Sequence, residues 1–362
     1  MENPHTHVQL EVPRFGEFAR QHAQVRSRDI AACLRLQSRS RERLGRLLVN
    51  QGFLAPEQVI DILRSQARWA AKMRSRDIAP QRFPLATPFS LCLPCYNEAE
   101  VIDEVLRGAC AVLPEFLEEF EIVVVDDGST DATAEVVERF AKRNPRVRLV
   151  RHDGNRGYGA AVSTALRAAE GHWICFTDGD GQFNLLDLPQ LLVDAQEADV
   201  VVGYRFRRAE GRLRRLNAHS WNRLIRHVLG VRVRDLDCAF KLFPRWVVEA
   251  MQLSAEGACI SAEILAQCMR GGLAVREVPV NHFPRAAGKA TGANLKVVAK
   301  AFGELPKVWR YRSSPPIVKP AHERFEKIAS AAALTPSNHC PTPDYSTKLK
   351  ETVDDSTLEG VA

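Results

Sequence analysis

A chain of 362 residues is long enough for one large α/β domain with additions, or for two ordinary domains. Its 45% hydrophobic and 26% charged content is that of a soluble globular protein. A net charge of +6 (50 basic against 44 acidic side chains) suits an anionic ligand or a membrane surface, and gives no ground for nucleic acid as a partner. Nine scattered cysteines, an odd number, argue against a disulfide framework and for a reducing compartment. The opening MENPHTHVQL has no apolar core, so no signal peptide is read there. No apolar run approaches the roughly 20 residues of a spanning helix, which predicts a cytoplasmic protein, soluble or peripheral to a membrane.

Residues 1–85 are Arg- and Gln-rich with helical periodicity and form a predicted helical extension. Leu44, Leu47 and Leu48 share a face, Gly52 breaks that helix, and Pro56 opens another carrying Val59, Ile62 and Leu63. A docking or oligomerisation role and a plain structural extension stay equally open for it. From 86 the pattern changes to alternating strands and helices. FSLCLPC, EIVVVDD, VRLVRH, HWICFTD and ADVVVGYR are short continuous apolar runs, as expected of strands buried on both faces of a mainly parallel sheet. Helical stretches near Glu98–Val112, Asp131–Arg143, Tyr158–Glu170 and Leu186–Glu197 separate them. The expected fold is a doubly wound α/β sheet that binds ligands beyond the carboxyl ends of its strands. Cys92 and Cys95 sit in the first strand on opposite faces and are read as packing residues, not a redox pair. After about Ser313 the Pro-, Ser- and Thr-rich sequence predicts a disordered tail, 313–362.

The polar residues that carry chemistry gather at strand ends. The adjacent carboxylates Asp126 and Asp127 follow four apolar residues, which favours one of them facing a ligand; Gly128 permits a tight turn and Ser129 or Thr130 is positioned to cap the next helix. Gly154-Asn155-Arg156-Gly157 precedes a helix, where backbone N–H groups are able to receive phosphate, although a plain loop explains the pattern equally well. Asp178-Gly179-Asp180-Gly181-Gln182 directly follows a buried strand. Two carboxylates one residue apart, with Gln182 able to add an oxygen, suit one hard divalent cation shared with substrate phosphates.

PCYNE (94–98), VVDDGSTDAT (124–133), NRGYGAAV (155–162) and TDGDGQ (177–182), in that order and spacing, resemble the family 2 glycosyltransferases of the GT-A fold. The resemblance runs from about Phe89 to Trp309, within a catalytic domain expected over 86–312. It implies a nucleotide-sugar donor bordered by Pro94, Tyr96, Glu98, Asp127, Asn155 and Gly157, and Mg²⁺ or Mn²⁺ held by Asp178, Asp180 and Gln182. GYR (203–205), Arg214-Arg215, Asn222, DCAFKLFPR (237–245) and EVPVNHFPR (277–285) further resemble the dolichyl-phosphate mannose synthase group, which transfers sugars to polyprenyl phosphates. That implies phosphate-binding roles for Arg205, Arg214, Arg215, Lys241 and Arg285.

Family members that attack with a sugar hydroxyl carry a Glu-Asp pair whose Asp is the base; GACISAEILAQ (257–267) lacks it. A phosphate monoester, with a second pKa of about 6, needs no such base, whereas a hydroxyl does. Glu263 remains a fallback base for a hydroxyl acceptor, and a non-catalytic nucleotide-sugar binder is the alternative from another class. The segment 294–312 reads as a basic amphipathic helix, fit either for a membrane surface or for packing on the domain. Neither the oligomeric state nor the identity of the sugar follows from the sequence.

Overall fold

The apolar runs become a seven-stranded sheet of order β3-β2-β1-β4-β6-β5-β7 in the computed structural model. It describes residues 14–40, 42–77, 85–206, 223, 225–285, 303–306, 308, 309 and 317. The strands are β1 (Phe89–Cys95), β2 (Phe120–Asp126), β3 (Val147–Arg151), β4 (Trp173–Phe176), β5 (Val200–Arg205), β6 (Lys241–Pro244) and β7 (Val275–Val280). Every residue of β1 is buried, because β1 is paired in parallel with both β2 and β4 and is packed against α7 (Tyr158–Ala168). β3 pairs with β2, and β7 with β5, also in parallel. β6 runs antiparallel between β4 and β5 and joins the two parallel groups. The sheet is thus the expected mainly parallel one, with an antiparallel strand that short KLFP did not announce.

The helices of this half are α5 (Ile102–Val112), α6 (Thr133–Ala141), α7 (Tyr158–Ala168), α8 (Leu188–Asp194), α9 (Arg245–Ala250) and α10 (Ile260–Arg270). α7 packs on β1 and β2, and α8 on β5 and β7. The chain winds one way from β1 to β3 and the other way from β1 to β4, so a crevice opens at the carboxyl ends of β1 and β4.

The extension holds α1 (Phe15–His22), α2 (Ser27–Ser40), α3 (Leu44–Asn50) and α4 (Pro56–Asp77). Gly52, at φ +70°, ends α3 and Pro56 opens α4, as the sequence predicts. Phe18, Val25, Cys33, Leu47, Leu48, Leu54 and Ile62 form an apolar core of their own. α4 also packs on α5 and α8, and Arg68 pairs with Glu115 at 3.0 Å.

Two local points that the sequence left open are decided. Ser129 does not cap α6: its hydroxyl accepts the N–H of Asn97 at 2.9 Å, and α6 starts four residues later at Thr133 without a side-chain cap at its first boundary. Of the two readings left open for the start of α7, its hydrogen bonds fit the plain loop. Arg156 and Gly157 donate their N–H groups to Asp127, and Gly159 and Ala160 donate theirs to the Glu256 carbonyl. Cys92 and Cys95 are buried and unbridged, and all eight described cysteines are free thiols. The expected tail lies outside the described residues. Of the expected 294–312 helix, 303–306, 308 and 309 are described and helical; Val308 is buried, and Glu304 accepts the N–H of Gly257 at 2.8 Å, so this part packs on the domain. No helix of the described residues is long and apolar enough to cross a membrane.

Candidate active site

The loop after β1 owes its shape to the loop after β2. Asn97 adopts φ +56°, rare for a residue with a Cβ, and its side-chain oxygen accepts the Thr130 N–H at 2.8 Å. Glu98 donates its N–H to Thr133 Oγ1 at 2.8 Å. Gly128, at φ +67°, lies so close to the next loop that a Cβ would stand 2.4 Å from the Gly154 carbonyl carbon. The GSTDAT motif is therefore a staple that holds Glu98 at the crevice.

Asp178 and Asp180 come from the loop after β4. A Cβ on Gly179 would lie 2.1 Å from Cys95 Sγ, so glycine between the carboxylates is what lets this loop press against the end of β1. Arg285, beyond β7, joins the two sides: Nη1 donates to Glu98 Oε1 and Nη2 to Asp180 Oδ2, both at 2.8 Å. Tyr158 OH donates to Asp178 Oδ1 at 2.9 Å. Burial pushes the Glu98 carboxyl up to about 7, even with Arg285 pulling it down. Burial, then the charge of Asp180, raises Asp178 as well. Glu98 Oε2 is buried with no hydrogen-bond partner.

Other expected residues are placed differently. Gln182 donates its N–H to Asp180 Oδ1 and its side-chain amide to the Phe283 carbonyl, both at 2.9 Å, so its amide nitrogen fastens the chain beside Arg285. Asp127, expected beside the nucleotide, is engaged by the protein itself. It is buried and accepts Arg156 N at 2.9 Å and Gly157 N at 2.8 Å, with His152 Nδ1 at 2.7 Å. Its neighbour Asp126 keeps one buried oxygen, Oδ2, without a hydrogen bond and 3.3 Å from Arg151 Nε. Arg151 in turn lines a cleft of about 320 Å³ with Gly128, Ser129, His152 and Asp153. Arg151 and His152 are not among the expected site residues, although their position, at the last residue of β3 and just past it, is the available signal. Pro94 is buried in β1, and its carbonyl accepts the Gly179 N–H at 3.3 Å. Tyr96 and Asn155 are exposed.

The basic residues expected at the acceptor divide. Arg205 is clamped to Asp235, Nε to Oδ2 at 2.7 Å and Nη2 to Oδ1 at 2.8 Å. Lys241 is 0% exposed; its ammonium donates to the carbonyls of Leu236 (3.1 Å) and Cys238 and to Ser261 Oγ (3.3 Å). Burial lowers its pKa. Neither presents an open cation: both brace the loop before β6. Arg214, Arg215 and Asn222 lie outside the described residues. Glu263, the fallback base, is 0% exposed and engaged: both its oxygens accept the Ser254 N–H at 3.0 Å and one accepts the Ala255 N–H at 2.8 Å.

The loop after β4 offers the crevice two carboxylates, Asp178 and Asp180, rather than a closed metal cage, and no group of three metal-ligating side chains occurs among the described residues. Two neighbouring carboxylates, of which Asp178 is raised by burial and by the charge of Asp180, fit a hard cation whose remaining ligands come from a phosphate-bearing substrate.

Residues 90–251 match the family described as glycosyl transferase family 2. A dolichyl-phosphate beta-glucosyltransferase of Trichomonas vaginalis is 31% identical over 232 residues, 55% of this chain and 67% of that protein. The glycosyltransferase AglD of Haloferax volcanii is 33% identical over 206 residues, 54% of this chain and 33% of the relative. A dodecaprenyl-phosphate galacturonate synthase of Rhizobium johnstonii is 30% identical over 171 residues, 46% of this chain and 51% of the relative. The chain thus spans from a third to two thirds of the length of these relatives. The crystal structure of glucosyl-3-phosphoglycerate synthase from Mycobacterium tuberculosis, in complex with Mn²⁺, uridine diphosphate and phosphoglyceric acid, superposes with a TM-score of 0.50 at 20% identity. That likeness covers 70% of this chain and 83% of the other, and it concerns the fold. With a relative matched over most of its length and the motif-bearing loops gathered at one crevice, the chain belongs to glycosyl transferase family 2 and has the GT-A fold.

Proposed function

We propose that the protein is an inverting hexosyltransferase that moves a sugar from a nucleotide-sugar, of the GDP-mannose or UDP-glucose type, to a polyprenyl phosphate. The observation that carries this reading is the crevice itself: Asp178 and Asp180 at the end of β4, Glu98 at the end of β1, and Arg285 bound to both sides. Polyprenyl-phosphate transferases among the relatives support the acceptor class.

In this reading Asp178 and Asp180 hold Mg²⁺ or Mn²⁺ together with the donor diphosphate. The ion, when bound, supplies Lewis-acid stabilisation of the departing nucleoside diphosphate. Arg285, already between the two acidic sides, turns its guanidinium to a donor phosphate oxygen, a pairing for which its planar fork is suited. The cleft beside Gly128 and Arg151 receives the nucleoside, and the buried Asp126 oxygen takes the role first given to Asp127. Tyr158 fixes the rotamer of Asp178. Arg205 and Lys241 shape the acceptor side by bracing the loop before β6, while Arg214 and Arg215 meet the acceptor phosphate. Because Glu263 is engaged by backbone donors, an acceptor that arrives already ionised fits better than a hydroxyl. The protein works at the cytoplasmic face of a membrane as a peripheral enzyme, with the helical extension (1–85) and catalytic domain (86–312) as its working parts.

The test is transfer from radiolabelled GDP-mannose and UDP-glucose into a polyprenyl-phosphate extract, with Mg²⁺ or Mn²⁺ and with EDTA. Label in the lipid phase that EDTA abolishes is the expected result. Donor hydrolysis without lipid label would move the acceptor to another class.

A further inference from the structure

The residue before α3, Arg43, connects the helical extension with the crevice. Its Nη1 lies 3.3 Å from Glu104 Oε1 on α5, and its Nη2 donates to the carbonyl of Gly181. Arg46, one turn on, donates Nη2 to the Glu100 carbonyl at 3.3 Å. The start of α3 is therefore set against the chain that follows Glu98 and against the Asp-Gly-Asp loop at once. Gly181 adopts φ +70°, and a Cβ there would stand 2.4 Å from Arg43 Nη2. Glycine at 181 thus serves both the left-handed turn and the approach of the guanidinium.

The peptide unit between Gly181 and Gln182 explains why this contact matters. A trans amide is planar, and its C=O and N–H point in opposite directions. The carbonyl end accepts from Arg43; the N–H end, on Gln182, donates to Asp180 Oδ1 at 2.9 Å. Arg285 holds the other oxygen, Oδ2, at 2.8 Å. The Asp180 carboxylate is aimed by one guanidinium and one peptide, and that peptide is itself aimed by Arg43, 138 residues earlier in the chain.

We infer that Arg43 is a positioning residue for Asp180, and that the helical extension is part of the active-site apparatus rather than an independent appendage. The inference rests on the reading of Asp180 as a ligand of the donor's cation. Arg43 uses separate N–H groups for Glu104 and Gly181, which a lysine ammonium reproduces poorly. Loss of a group that orients a metal ligand typically weakens metal binding about 10- to 100-fold.

Mn²⁺ binding to the full chain, followed by electron paramagnetic resonance with UDP and with GDP present, tests the inference. Arg43→Ala is expected to bind Mn²⁺ about tenfold or more weakly while its Tm stays within a few degrees of wild type. Arg43→Lys, which keeps the charge facing Glu104, is expected to fall between the two with an unchanged Tm. Wild-type Mn²⁺ affinity in Arg43→Ala overturns the inference. So does a loss of affinity in Arg43→Ala that appears only with a collapsed Tm and is absent from Arg43→Lys, since the contact then serves docking alone. Asp180→Ala separates the two levels: if it binds Mn²⁺ like wild type, the reading of Asp180 fails; if it loses Mn²⁺ while Arg43→Ala retains it, only the role of Arg43 fails.

Discussion

Glu98 carries a charge that its surroundings oppose, and this gives the site a pH signature. Its carboxyl titrates at about 7 in the fold against 4.5 in an ordinary setting. Between those values the folded chain binds more protons than the unfolded one, so this group's contribution to stability falls as pH rises through the window. Glu98→Gln is therefore expected to flatten the decline of Tm between about pH 5 and 7, which thermal denaturation across a pH series measures. At higher pH the ionised Glu98 keeps Arg285 through its 2.8 Å contact. Asp180→Ala tests the other side of the clamp. It is expected to lower turnover about 10³-fold, the scale of losing an electrostatic stabiliser, while Tm stays near that of wild type because a buried like charge beside Asp178 is removed. Near-normal turnover in Asp180→Ala would end the metal assignment.

Among the elements, the loops after strands depend on interactions that replace helix capping. Gly128→Ala must place a Cβ at φ +67° and 2.4 Å from backbone of the neighbouring loop. A loss of about 2–4 kcal/mol is expected in urea denaturation, since strain and overlap act together. Glu263 anchors α10 to the loop at Ser254 and Ala255. Glu263→Ala leaves the Ser254 N–H and the buried Ala255 N–H without their acceptor, at an expected cost of about 2–3 kcal/mol. A variant with intact stability and abolished transfer would instead restore Glu263 as a base. Sequence periodicity located α5 to α8 to within a few residues because each has an apolar face. It missed the true use of Ser129, because a short hydroxyl serves a helix start or a neighbouring loop equally well and only the approach of Asn97 decides.

At the level of the whole molecule, the crevice is assembled from segments that meet only through the sheet. Mn²⁺ and a nucleoside diphosphate should stabilise the fold together: at 100 times the dissociation constant the gain is about 2.7 kcal/mol, a shift of a few degrees. EDTA is expected to abolish the shift, and Asp180→Ala to lack it, in a thermal-shift assay. A full shift in EDTA would mean that nucleotide binding does not use the two carboxylates. The extension belongs in the same account, since Arg43 and Arg46 meet α5 and the loops on both sides of the crevice.

By itself the sequence determined the parallel half of the sheet, the strand-end positions of Glu98, Asp178 and Asp180, and the helix pair around Gly52 and Pro56. These follow from hydrophobic period and turn chemistry, which act over a few residues. Tertiary structure alone decided which charges gather at the crevice and which are engaged elsewhere in the fold. Lys241 and Arg205 read as available cations, yet one is buried among carbonyls and the other clamped to Asp235. Arg285 finds Glu98 across 187 residues and Asp180 across 105. The physical reason is that a charged side chain takes its role from what surrounds it, and those surroundings come from distant parts of the chain.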